Sequence, residues 1–413
     1  MTTVGILAFV VALLVSVMLH EAGHFFTARH FGMKATQFFV GFGPTLWSRR
    51  SGETEYGVKA IPAGGFVKII GMTPLEEVEP GDENRVFYKQ PAGRKTVVLA
   101  AGSTVHFLIC IVLVFGTIFA LGIPDATAPV LAKPQDCLVL SITADAKIPS
   151  SVKGKDRTCP AGTVPGVAAA AGIQAGDRVL SANGRKISKY TDFQKAVRAS
   201  AGTQLDVVVQ RHGQRKTLSL TPLLATRPSL TNDKDNVQVG AIGVAPDQNT
   251  LRHVGLVHAF GETGTQLGAL VTGTWDTLTK KLGSLGSVYD KNRDPTGFVG
   301  VVGVSRVSGE VFNAPIPFTT RLAGFLFIVA GLNLFVGIFN LLPLLPLDGG
   351  HIAVVFFEAL RDRVRRARGY IGDIQRVDYN KLMPLTFAVV VLFAGFSVWL
   401  LGADIVNPIR ITQ

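Results

Sequence analysis

Apolar residues gather along this chain in four stretches, from Val4 to Phe26, Val97 to Leu121, Leu322 to Leu345 and Leu385 to Leu401. About twenty apolar residues in a helix cross the hydrocarbon core of a bilayer, so each stretch predicts a transmembrane helix. Between the first two, Phe38-Phe39-Val40-Gly41-Phe42-Gly43-Pro44 joins membrane-like aromatics to helix breakers. That mixture predicts a re-entrant or interfacial loop, which needs protein or a water-filled cavity around it. Strands follow over Glu53–Ala60 and Phe66–Ile70, turning at Pro62-Ala63-Gly64-Gly65. Such a hairpin is either structural filling or functional. Residues 73–95, with Pro74, Pro80 and Pro91, read as a charged loop. Further on, Leu256, Phe260, Leu267, Val271, Trp275, Leu278, Leu282 and Leu285 recur mostly at spacings of three and four, an amphipathic helix. Gly264 interrupts the stripe and Gly261 lies nearby, so the helix is expected to begin after them. Its apolar face belongs on the outer membrane surface or against its own domain.

Composition agrees with a membrane protein carrying a soluble portion. The 413 residues are 47% hydrophobic and 17% charged, with mean hydropathy +0.35, too apolar for an ordinary soluble protein. The net charge of +12 matters through its distribution. Lys and Arg crowd the segment from Lys34 to Lys95 and the cluster Arg361–Arg368. The positive-inside rule makes both segments cytoplasmic. Four spans then put both termini and the long 122–320 segment outside, in a multi-pass plasma (inner) membrane protein. The juxtamembrane Arg cluster suits anionic lipid and needs no nucleic acid. The N-terminus lacks the basic region of a cleavable signal. Cys110 falls in the second span as a packing residue. Cys137 and Cys159 both fall outside, where oxidation is allowed, and a disulfide between them is an expectation that no sequence pattern forces.

The long external segment contains a compact domain. Val167 to Gly184, with its short Ala-rich helix, Gly176-Asp177 turn, strand and Asn183-Gly184 turn, resembles bacterial PDZ domains. A second helix over Asp192–Ala199 and strands Leu205–Gln210 and Lys216–Leu220 around His212-Gly213 fit the same pattern. PDZ domains bind extended peptides or chain termini by strand addition. The pattern does not separate that role from steric gating.

The chemistry lies in His20-Glu21-Ala22-Gly23-His24, at the end of the first apolar run. Residues at i and i+4 share a helix face, so both imidazoles reach one metal ion. Glu21, beside them, is placed to act as a base, which is the zinc-hydrolase arrangement. A charged group at mid-span costs roughly 2.5–3.5 kcal/mol on insertion scales, so three titratable groups there need a compensating role, and Zn2+ supplies one. A catalytic zinc site usually holds three protein ligands and a water. The third candidate is Asp348, in Asn340-Leu341-Leu342-Pro343-Leu344-Leu345-Pro346-Leu347-Asp348-Gly349-Gly350. That segment is apolar yet broken by prolines and glycines, and a carboxylate there is functional by default. His351 is a rival ligand further from the apolar core.

Taken together, these motifs resemble the site-2 intramembrane zinc metalloproteases, in the bacterial regulator-of-sigma-E protease branch. The matching residues are His20-Glu21-x-x-His24, the Gly41-Phe42-Gly43 loop, the Gly64-Gly65 hairpin, a PDZ-like insertion between spans two and three, and Asn340-x-x-Pro343 followed by Leu347-Asp348-Gly349. Some members carry two PDZ domains; one is placed here. The resemblance implies cleavage of membrane-spanning substrates, often anti-sigma factors, after a first extracytoplasmic cut. It implies that the hairpin at Gly64, Gly65 and Phe66 presents an edge strand to substrate, and that Asn340 holds substrate backbone or the transition state. The expected fold is a polytopic α-helical membrane protein with four transmembrane helices, a re-entrant loop and β-hairpin, and an inserted extracytoplasmic PDZ-like α+β domain. Its divisions are span one with the zinc motif (1–31), the cytoplasmic-side loop and hairpin (32–95), span two (96–122), the PDZ-like domain (126–225), the amphipathic segment (250–320), span three with the third ligand (321–350), a basic cytoplasmic loop (351–383) and span four (384–406). Two other classes compete. Glu21 argues against a non-catalytic PDZ-bearing adaptor, which needs no base. The shortage of further intramembrane carboxylates and histidines argues against a metal transporter.

Overall fold

The computed structural model describes residues 2–72, 78–125, 127–142, 159, 162–230, 235–247, 250–290, 293, 297–314, 316–370 and 377–409. The loop residue Pro74 and the expected domain start at Ala126 lie outside them. The chain divides into two units, Met1–Leu121 with Val254–Gln413, and Gly122–His253.

The first helix, α1 (Thr2–His30), is apolar on nearly every face, as a helix surrounded by lipid and other helices must be. Gly32, at φ 78°, closes it, and the Met33 amide donates back to the Ala28 carbonyl at 2.9 Å, a left-handed C-terminal cap. Strands β1 (Ala35–Ser51) and β2 (Thr54–Ile69) follow as an antiparallel pair. Register shifts fold the pair on itself: Gln37–Val40 faces Glu55–Val58 and also Gly65–Lys68. The expected loop at Phe38–Pro44 is therefore part of β1. Gly41 (φ 84°) and Gly43 (φ 83°) bend the strand as bulges do, and pairing satisfies backbone groups that a loop would leave open. Helix α2 (Ala92–Ala120) then packs on α1.

The inserted unit follows. Its elements are β3 (Ile123–Pro124), β4 (Cys137–Val139), β5 (Thr163–Pro165), α3 (Val167–Ala170), β6 (Arg178–Ala182), β7 (Arg185–Lys186), α4 (Tyr190–Ala199), β8 (Leu205–Arg211), β9 (Gln214–Leu220), β10 (Leu223–Pro228), β11 (Asn236–Ala241) and β12 (Leu251–Arg252). A four-stranded antiparallel sheet runs in the order β7-β6-β8-β9. Leu205, Val207 and Val209 alternate inward from β8 and meet Phe193 and Val197 of α4, the period-two burial of a one-sided sheet. The Gly176-Asp177 turn proves to be an anchor. The Asp177 side chain is fully buried and bonded by Arg211 at 2.7 Å and by the Gln174 amide at 2.9 Å. Burial pushes the Tyr190 phenol up to about 12, and its hydroxyl donates to the Val244 carbonyl at 2.9 Å. The unit extends to His253 and not to 225, because β11 pairs with β10 and Ile242 completes the core.

Helix α5 (Leu256–Lys280) begins before Gly261 and Gly264. A glycine inside a helix is unfavourable by only ~1 kcal/mol, and α5 rests on α2, with Phe260 against Phe115 at 4.7 Å between ring centroids. Next, α6 (Val301–Asn313) lies along α1. A Cβ on Gly5 or Gly309 would strike the facing helix, the small-residue contact by which membrane helices approach closely. Helix α7 (Phe318–Asn340) packs against α2. It ends at Asn340, before the prolines, so the expected third span to 350 divides and Asp348 opens a separate helix, α8 (Asp348–Ala367). The basic segment expected as a loop is thus helical through Ala367. Last comes α9 (Tyr379–Val406). Among the described residues, four helices are long and apolar enough to cross a membrane: α1, α2, α7 and α9.

Candidate active site

Helical spacing puts His20 and His24 of α1 on one face, and both are buried. The Nδ1 of His24 lies 2.7 Å from the Val98 carbonyl. A carbonyl only accepts, so the proton is on Nδ1 and Nε2 keeps its lone pair. Across from the pair is Gly102 of α2, where a Cβ would run into both imidazole rings. Glycine is needed at 102 for α2 to lie this close.

Asp348 arrives from the other end of the chain. The turn before α8 folds tightly enough that a Cβ on Gly349 or Gly350 would strike the backbone of Leu341–Leu345. Val355 packs in the cluster of Phe25 and Leu99, and Lys95 pairs with Glu358 at 3.4 Å, fixing α8 to α2. Asp348 Oδ2 consequently lies 3.5 Å from His20 Nε2 and 3.4 Å from His24 Nε2, and the two Nε2 atoms are 3.2 Å apart. Tetrahedral ligands ~2.0–2.1 Å from zinc stand about 3.3–3.4 Å from one another. The triangle has the edges that zinc needs. Asp348 Oδ2 is buried without a hydrogen bond, and three side chains able to give an electron pair converge on one point. That donor set fits a divalent cation. Among the described residues these three form the grouping able to hold a metal, and His351 stands outside it.

Glu21 leaves the triangle for the neighbouring strand. Its Oε2 accepts from the Val67 amide at 3.1 Å. A Cβ on Gly65 would meet Met18 of α1, so this end of β2 is pressed against the zinc-motif helix. Gly64 takes φ 139°, and Phe66 stacks on Phe39 and Phe42 at 5.7 and 6.1 Å. Asn340 is the last residue of α7 and partly buried. In the inserted unit the Sγ atoms of Cys137 and Cys159 are 2.02 Å apart, a disulfide.

Sequence reasoning missed the surroundings of the site: Gly102, the Val98 carbonyl, the Val67 amide, and a buried polar set of Ser16, His106 and Asn333. Polar residues inside apolar spans were the available signal for the last of these.

Residues 8–375 match the model of peptidase family M50. Over its whole length the chain is 38% identical to the whole of the zinc metalloprotease Rip1 of Mycobacterium tuberculosis. It is 37% identical to the Rip1 of Mycolicibacterium smegmatis, over 99% of both chains. These matches run over essentially the full length of both chains, and the donor triangle is one that a zinc metalloprotease requires. The chain belongs to peptidase family M50, and it is a zinc metalloprotease whose paired histidines stand within a membrane-spanning helix.

Proposed function

We propose that His20, His24 and Asp348 hold Zn2+, that Glu21 is the general base, and that the substrates are membrane-spanning proteins, anti-sigma factors among them, already cut once outside the membrane. The observation that carries the reading is the triangle of donor atoms, with edges of 3.2, 3.4 and 3.5 Å, beside a carboxylate that is not part of it. Zinc in such a site lowers the pKa of water toward ~7 and polarises a carbonyl. The remaining work falls to this chain's own groups. Glu21 takes the proton of the attacking water and delivers it to the leaving nitrogen.

The substrate helix has to unwind first, because a helical carbonyl is already hydrogen-bonded. The β2 segment Gly64–Val67 receives the unwound stretch as an added strand. Its place beside Glu21, through the Val67 amide, supports this. Asn340 holds the substrate backbone. The charge asymmetry supports both termini and the inserted unit outside the cytoplasm, and the Cys137–Cys159 bond suits that compartment. The inserted unit is PDZ-like in this reading. Its cavity of about 510 Å³ between α4 and Gly240–Ala245 takes a peptide or, left empty, the unit only gates approach.

Glu21→Gln in the purified full-length protein tests the mechanism. The variant is expected to keep its zinc and to bind substrate, while cleavage slows by at least the ~10²–10⁴ that general-base catalysis contributes. Turnover near that of the unaltered enzyme would remove Glu21 from the mechanism.

A further inference from the structure

One buried imidazole near the metal triangle has no part in the mechanism above. His106 of α2 is 2% exposed, and its ring centroid is 5.0 Å from that of His20, with the planes tilted by 37°. Its Nδ1 lies 2.8 Å from Asn333 Oδ1. The Asn333 amide nitrogen donates to the Val329 carbonyl at 2.8 Å and reaches Ser16 Oγ at 3.1 Å. A carbonyl cannot donate, so the orientation of the amide is fixed and its oxygen faces His106. The proton between them therefore belongs to His106 Nδ1, and His106 Nε2 is left with a lone pair.

The opposite deficit exists on His20. Its Nε2 is a corner of the triangle and, when it binds a metal, carries no proton. The proton is then on Nδ1, which is buried, has the Gly102 backbone beside it and makes no hydrogen bond of good geometry. A metal-bound histidine almost always donates its second N–H to an outer acceptor, which fixes the ring and raises its basicity. His24 has such an acceptor in the Val98 carbonyl. His20 has an imidazole with a spare lone pair beside it.

We propose that His106 is the outer partner of His20: its Nε2 accepts the His20 Nδ1–H, directly or through one water, and Asn333 and Ser16 hold it in the tautomer that does so. This makes His106 a positioning residue for the zinc site, with three spanning helices, α1, α2 and α7, contributing to one hydrogen-bonded chain. The inference rests on the reading of His20 as a zinc ligand.

The test is the zinc dissociation constant of the full-length protein in detergent, measured by chelator competition, with the visible spectrum of the Co2+-loaded form as a second readout. His106→Leu and Asn333→Leu are expected to weaken zinc binding by ~10–100-fold, the usual effect of losing an outer partner, and to shift the Co2+ bands. His106→Gln keeps an acceptor near the Nε2 position, whereas His106→Asn reaches only Asn333. His106→Gln should therefore bind zinc more tightly than His106→Asn by about tenfold. Equal affinity in those two polar variants would overturn the proposal even if His106→Leu failed to fold. So would unaltered affinity and spectrum in a folded His106→Leu. Asp348→Ala is the control: if the unaltered protein binds zinc no better than it does, the metal reading itself fails and this inference with it.

Discussion

Asp177 of the inserted unit and Asp348 of the membrane unit are treated in opposite ways, and Asp404, a second enclosed aspartate of the membrane unit, follows Asp177 by accepting from Arg293 and the Gly303 amide. In the inserted unit Asp177 is fully enclosed and every approach to it is a donor: Arg211 on both oxygens and the Gln174 amide. In the membrane unit Asp348 Oδ2 is buried against two imidazole nitrogens, with no hydrogen bond. The first arrangement is what an uncharged interior demands of a carboxylate. The second is untenable for a side chain that only holds the fold together. Buried side-chain polar atoms without partners among the described residues are His20 Nδ1, Ser103 Oγ, Thr117 Oγ1, Arg293 Nε and Asp348 Oδ2, all in the membrane unit. Burial alone therefore does not identify a working carboxylate. The absence of an answering donor singles out the metal-binding one.

Exchanging the two aspartates' fates gives the sharpest test. Asp348→Ala is expected to abolish zinc binding and cleavage, a loss beyond the ~10²–10⁴ assigned to general-base catalysis. The metal-free variant should be no less heat-stable than the metal-free parent, because an unanswered carboxylate has been removed. A clear fall in metal-free stability would return Asp348 to the structural class. Next in size is Arg211→Met, which leaves Asp177 buried and unpaired. It should destabilise the inserted unit by about 3–5 kcal/mol, read as faster limited proteolysis there, while zinc content stays at that of the parent. Gly102→Ala comes third. It sets a methyl group against both imidazoles and is expected to cost about 1–3 kcal/mol in overpacking. Weaker zinc binding, measured by chelator competition, is where that should register. The smallest effect belongs to the exposed pair Asp276–Lys280, at 2.9 Å on α5. Asp276→Asn should change stability by only ~0.3–0.5 kcal/mol, and salt should erase the difference.

Much of the metal site was legible because its physics is local. Two histidines one turn apart on an apolar helix need no tertiary information to be brought together, and Asp348 announced itself as a carboxylate in an apolar run. Gly102 carried no such signal. A glycine in a spanning helix is ordinary until the opposite helix is known to press imidazoles against it. His106 and Asn333 were visible as polar residues among apolar ones, but their pairing depends on how α2 meets α7. The errors of extent have one common cause, which is tertiary support that overrides a local breaker. Gly261 and Gly264 do not stop α5, and Gly41 and Gly43 bend β1 without ending it. The prolines at 343 and 346 did act locally, dividing the third apolar stretch so that Asp348 begins its own helix.

The distance along the chain between His24 and Asp348 has a consequence for biosynthesis. The two imidazoles leave the ribosome first, and the aspartate that completes the triangle follows more than three hundred residues later. At ~5–20 residues per second, the nascent chain spends on the order of tens of seconds in the membrane without its third ligand. An incomplete donor set holds zinc poorly, so a chain that stops short of Asp348 is expected to be inert as a protease.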